Sequence, residues 1–180
     1  MTTPSYNLVA IALHWSIALL IGATFLLGIT VDDFPKAWDQ AVVNTHVLMG
    51  LAVLMLTLVR IGWRITHKPP PLPNAENLML GKVSKLVHLL LYGLMLLVPA
   101  IGIPTLLYRG RGVNFGMFGI PPLLPRTPGI YRPLTELHEI GAYALVILAL
   151  GHVLAALYHQ VILRDRLMSR MLPQALKSAE

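Results

Sequence analysis

Cysteine is absent from the 180-residue chain, which excludes disulfides, iron–sulfur clusters and thiolate-bound zinc or haem. Charge is scarce as well. Only 12% of the residues are Asp, Glu, Lys or Arg, about half the share found in a soluble domain. What remains is oily: 56% of the residues are hydrophobic. Four runs, at 8–29, 42–65, 83–107 and 134–163, each reach the roughly 20 apolar residues that a helix needs to cross a bilayer core. The composition therefore predicts an all-α integral membrane protein embedded in a lipid bilayer.

The first run has no basic residue before it, exceeds the apolar core of a secretory signal and is followed by no A-x-A site, so it is expected to stay as a helix. Between runs two and three, the segment HKPPPLPNAENLMLG (67–81) is proline-rich and predicts a stiff, extended connection. The segment 109–134, RGRGVNFGMFGIPPLLPRTPGIYRPL, is punctuated by glycine and proline and predicts a structured loop, part of it lying along the membrane interface. Pro99 and Pro104 fall inside the third run, where they are expected to kink the helix or end it early. No internal repeat is visible. The simplest arrangement is one domain over residues 1–180, an up-down-up-down four-helix bundle.

Orientation follows from the basic residues. With the amino terminus inside, one side of the membrane carries Arg60, Arg64, Lys68, Lys82, Lys85, Arg164, Arg166, Arg170 and Lys177. The other carries Lys36, Arg109, Arg111, Arg126 and Arg132. The larger set belongs on the cytoplasmic side, which places both termini in the cytoplasm. The formal charge of +6 thus flanks the spans at the membrane surface and is not a nucleic-acid footprint.

Histidine supplies the chemistry, with seven residues in the chain. The last run, ELHEIGAYALVILALGHVLAALYHQ, holds His138, His152 and His159 at separations of 14 and 7 residues, close to four and two helical turns, so the three share one face. Ionisable groups inside a span are functional suspects. Threading the helices alternately up and down brings His46 level with His138 near the external side. His152, about 21 Å deeper at 1.5 Å per residue, comes level with His14 near the internal side. Two facing imidazoles supply the axial ligands of a six-coordinate b-type haem, so the pairs predict two haem b groups. Gly50, Gly141, Ala18, Ala142, Ala155 and Ala156, three or four residues after a histidine, leave room for a flat macrocycle or serve plain helix packing. A lone intramembrane histidine is often only a packed residue bonded to a carbonyl, but two matched pairs are harder to explain that way. Zinc is disfavoured because LHEIGAY lacks the second histidine of H-E-x-x-H.

The order ALHW (His14), NTHVLMG (His46), KLVHLLLY (His88), LYRGRGVNFGMFG, LHE (His138) and GHVLAALYH (His152, His159) resembles the small bacterial cytochrome b561 proteins over nearly the whole chain. The resemblance is strongest to those members that oxidise superoxide and reduce ubiquinone. It implies a bacterial inner-membrane oxidoreductase with His46 and His138 on the outer haem and His14 and His152 on the inner one. It also implies that His159 contributes to a quinone site, and that His88 belongs either to that site or to the inner haem pocket. Superoxide is an anion, and Arg109, Arg111, Arg126 and Arg132 are the candidates to attract it, or else they anchor span ends at the interface. Two alternatives stay open: a di-haem subunit fed by a periplasmic dehydrogenase or soluble cytochrome, and a haem-free transporter using the histidines as a relay.

Overall fold

Lipid offers no hydrogen bonds, so a spanning segment must satisfy its own backbone, and a continuous apolar run becomes a helix. In the computed structural model, which describes residues 5–68, 78–164 and 167–172, four such helices form a bundle. They are α1 (Leu8–Ile29), α2 (Asp39–Thr66), α3 (Leu78–Tyr108) and α4 (Pro128–Tyr158). Each belongs to a stretch long and apolar enough to cross a membrane. The helices neighbour one another in the ring α1–α2–α3–α4–α1, the expected up-down-up-down order. Most of the connection at 67–81 lies outside the described residues.

Helix ends follow local chemistry. Asn7 caps α1, its side chain accepting from the Ala10 N–H at 2.8 Å. Asp39 sits in the first turn of α2 and Arg64 in the last, each matched to the helix dipole. α4 starts well before position 134, because Thr127 and then Pro128 at the first position preset the helical entry. The expectation that proline would end the third span early is not met: α3 runs unbroken through Pro99 and Pro104. Neighbouring helices and the absence of competing water allow a membrane helix to absorb the lost N–H groups.

Few side chains are buried. Ile17, Met95 and Leu145 form a small central cluster, while Leu19, Leu89 and Ile147 are each about 70% exposed, as lipid-facing residues should be. Polar ties sit at the two ends. At the end carrying the termini, Arg60 of α2 donates to the Ala10 carbonyl of α1 and to the Tyr92 hydroxyl of α3, both at 3.0 Å. There the 167–172 segment folds back on α1, its Met171 carbonyl accepting from Trp15 Nε1 at 2.9 Å. At the opposite end the 109–127 loop forms a small antiparallel hairpin pairing Val113 with Ile120 and Asn114 with Gly119. The Asn44 amide grips its first strand: Asn44 Nδ2 donates to the Asn114 carbonyl at 2.9 Å, and Asn114 N–H donates to Asn44 Oδ1 at 2.7 Å.

Those two bonds are exposed, so they hold the loop locally and contribute little to the bundle. Asn44→Ala is expected to raise proteolytic cleavage within 109–127 about fivefold, equivalent to roughly 1 kcal/mol of local opening, with unchanged thermal stability of the helices. Limited proteolysis beside a melting curve in detergent checks both halves.

Candidate functional site

An imidazole in the bundle interior needs a partner, and the partner must be a backbone carbonyl that another side chain does not cover. Side chains on a helix tilt toward its amino end, so residue i+4 shields the carbonyl of residue i. Glycine at i+4 uncovers it. His46 Nδ1 lies 3.1 Å from the Thr24 carbonyl, and a Cβ added to Gly28 would meet the His46 ring at 3.0 Å. His138 Nδ1 lies 2.9 Å from the Val98 carbonyl, and a Cβ on Gly102 would meet the His138 ring at 3.1 Å. The same device thus appears twice, on α1 for His46 and on α3 for His138. With Nδ1–H donating to a carbonyl, Nε2 carries the lone pair available to a metal.

The two rings face each other, with centroids 6.0 Å apart and planes at 74°. At the other level His14 and His152 are 6.4 Å apart with planes at 76°. An imidazole nitrogen lies about 1.1 Å from its ring centroid and binds a first-row metal at about 2.0 Å, so two rings on opposite sides of one iron stand roughly 6.2 Å apart. Both pairs match that spacing. His88, whose Nδ1 donates to the Ser84 carbonyl at 2.6 Å, is 5.3 Å from His152, too close for an iron between them. The structure therefore puts His88 beside the inner pair as a neighbour of His152.

A cavity adjoins His46 and His138, lined by Thr24, Gly50, Val53, Pro99, Ala142 and other apolar side chains. Gly50 and Ala142 are among its small lining residues. Gly141 serves α3–α4 packing instead, since a Cβ on it would meet Val98 Cγ2 at 3.0 Å. Thr30, Thr45, Thr66, Thr105 and Thr135 return their hydroxyls to the carbonyl four residues earlier, whereas Thr24 Oγ1 in the cavity wall and Thr57 Oγ1 elsewhere on α2 are buried without a partner among the described residues. A wall of small apolar residues and two imidazoles at iron-bridging distance fit a porphyrin. Among the described residues no group of three or more His, Asp or Glu gathers as a metal site, and a haem, which brings four nitrogens of its own, needs only two.

The remaining expected residues are scattered around this core. His159 begins a π-helical turn, His159–Leu163, where α4 ends, with its ring 6.2 Å from that of Tyr158. Such turns favour functional positions. Arg109 donates to Thr135 Oγ1 at 3.3 Å and lies over the Tyr131 ring at 5.5 Å. Arg126 meets the same tyrosine, donating to its hydroxyl at 3.1 Å. Arg111 pairs with Asp39 at 2.7 Å. Arg126 and Arg132 are exposed, Arg109 and Arg111 half-buried. Sequence reasoning missed Gly28 and Gly102, because which helix faces which histidine is not written in local spacing.

Fold and site together define a multi-pass membrane protein of the cytochrome b type. The chain matches the prokaryotic cytochrome b561 family over residues 5–174, and it belongs to that family. It is 35% identical to cytochrome b562 of Cereibacter sphaeroides, covering 94% of this chain and 96% of that one. It is 30% identical to cytochrome b561 homolog 2 of Escherichia coli, covering 95% and 93%. A protein of Yersinia pestis described as probable superoxide oxidase CybB is 27% identical, covering 94% and 96%. Membership makes the chain a bacterial membrane electron-transfer protein with haem b as its cofactor, which displaces the haem-free relay.

The glycine cradles give a direct test. Gly28→Val and Gly102→Val should push the His46 and His138 imidazoles, respectively, off their carbonyls and lower the haem-to-chain ratio of the purified protein. Gly22→Ala, with open space around its Cβ, should leave that ratio unchanged.

Proposed function

We propose that this protein carries two haem b groups, oxidises superoxide to dioxygen at its 109–127 loop side and delivers the electrons to ubiquinone at the side of its termini. The observation that carries the reading is the pair of imidazole separations, 6.0 and 6.4 Å, at two levels of one bundle. His46 and His138 hold the outer haem, and His14 and His152 the inner one. Bound haem supplies one-electron redox chemistry along the bundle axis. The balance is two superoxide anions plus ubiquinone plus two protons giving two dioxygen molecules plus ubiquinol. The residues named below bind, steer and protonate.

On the loop side, the exposed Arg126 and Arg132 present positive charge to an incoming anion. The field there is local, since Asp32, Asp33, Asp39, Glu136 and Glu139 share that side. With both termini cytoplasmic, that side is periplasmic. At the inner end His159, in the π-turn beyond His152, donates a proton to the quinone, since an imidazole can carry a proton on either ring nitrogen. His88, packed against His152, orients the inner pocket wall. The description of the Yersinia pestis relative as a probable superoxide oxidase supports the donor.

A second reading keeps the haems but replaces superoxide with a protein electron donor. Met117 at 96% exposure and Phe118 at 62% crown the loop hairpin, and such an apolar tip suits a docking partner. Copurification with a second subunit, together with haems indifferent to superoxide, would establish it.

Reduced-minus-oxidised spectra with a haem assay are expected to give two haems per chain, both reduced by a pulse of superoxide; a colourless folded protein would end this reading. His159→Ala should keep both haems and lower ubiquinone reduction at least tenfold, whereas haem loss in that variant would remove His159 from the quinone site.

A further inference from the structure

The arginines near the loop divide into two kinds. Arg126 and Arg132 are exposed, but Arg109 and Arg111 each bury a guanidinium nitrogen with no acceptor among the described residues: Arg109 Nε and Arg111 Nη1. A charged donor removed from water without an acceptor is costly. One nitrogen of each group is committed. Arg109 Nη2 reaches Thr135 Oγ1 and its plane covers Tyr131, while Arg111 Nη2 is bound to Asp39. Among the described residues, Arg111–Asp39 is the one ion pair, so the other carboxylates on this side do not answer the two open donors.

Position says what would answer them. Thr135 lies three residues before His138, about one turn, and Asp39 seven before His46, about two turns. The anchors of the two arginines therefore rise from the same two helices that carry the facing imidazoles, α4 and α2, on the loop side of that pair. Arg109 itself follows Gly102, the cradle of His138, by seven residues, again about two turns. Two open donors on the loop side of the His46–His138 pair suit the two oxygens of one carboxylate, as guanidinium groups bind carboxylates in general.

We propose that Arg109 and Arg111 together bind a propionate carboxylate of the haem between His46 and His138, closing that site and tuning its potential. The inference rests on the di-haem reading above. It gives these two arginines a positioning role and leaves Arg126 and Arg132 as the exposed charges that face an incoming anion. Thr135 and Tyr131 fix Arg109, and Asp39 fixes Arg111, so the clamp is assembled before the haem arrives.

The experiment is a redox titration of the full holoprotein across about pH 6 to 8, comparing wild type with Arg109→Gln, Arg111→Gln and the exposed control Arg132→Gln. Removing a clamping charge favours the ferric state and frees the propionate to titrate. One of the two haem potentials is expected to fall in the Arg109 and Arg111 variants and to acquire a slope with pH, decreasing as pH rises. The other potential and the Arg132→Gln protein should match wild type. Arg109→Lys and Arg111→Lys, which keep the charge without the fork, should retain the haem and show an intermediate slope, so haem loss in a Gln variant does not end the test. Potentials that stay flat and unshifted in the Arg109 and Arg111 variants would overturn the clamp, as would an equal shift in Arg132→Gln, which would reduce the effect to a general surface field. A wild-type protein with fewer than two haems would instead retire the di-haem reading, and the stoichiometry is measured first.

Discussion

A polar group inside hydrocarbon must find its partner within the protein, and the interior of this bundle is organised by that requirement. The imidazoles of His46 and His138 reach carbonyls on neighbouring helices, Thr24 and Val98, and Arg60 reaches the Ala10 carbonyl. Each bond satisfies a costly group and also fixes the rotation of one helix against another. For the histidines it does a third thing, since a donating Nδ1 leaves the lone pair on Nε2.

Carbonyls in a helix are already occupied by the i+4 N–H and covered by the i+4 side chain. Glycine at i+4 opens such a carbonyl to a bulky ring, and Gly28 and Gly102 do this for His46 and His138. The result is a wall that holds an imidazole by its back while its front faces the partner ring. The His88 ring shows the contrast, because its Nδ1 bonds a carbonyl of its own helix, Ser84, and so ties it to no other helix. It packs at 5.3 Å from His152, which leaves no room for iron.

The two ends of the bundle solve different problems. At the end of the termini, Arg60 and the folded-back 167–172 segment join helices α1, α2 and α3 around the level of His14, His88 and His152. At the loop end, a hairpin pinned by Asn44 and a pair of half-buried arginines roof the level of His46 and His138.

Much of this was legible in the chain. Length of apolar runs dictates four helices because backbone in lipid has one solution for an isolated segment. Helical periodicity and alternating direction pair His46 with His138 and His14 with His152, because depth depends only on residue count and rise. The prolines of α3 do not end the helix as one of the two expectations had it, since the rule that proline ends a helix is strongest in water. Local spacing determined which histidines share a level. It did not determine which ring pair leaves space for iron, why Gly28 and Gly102 lie behind two of the rings, or which arginines are spent on Tyr131 and Asp39. Those depend on the rotation of each helix about its axis, which is fixed by contacts between residues distant in sequence and so was decided only by the tertiary structure.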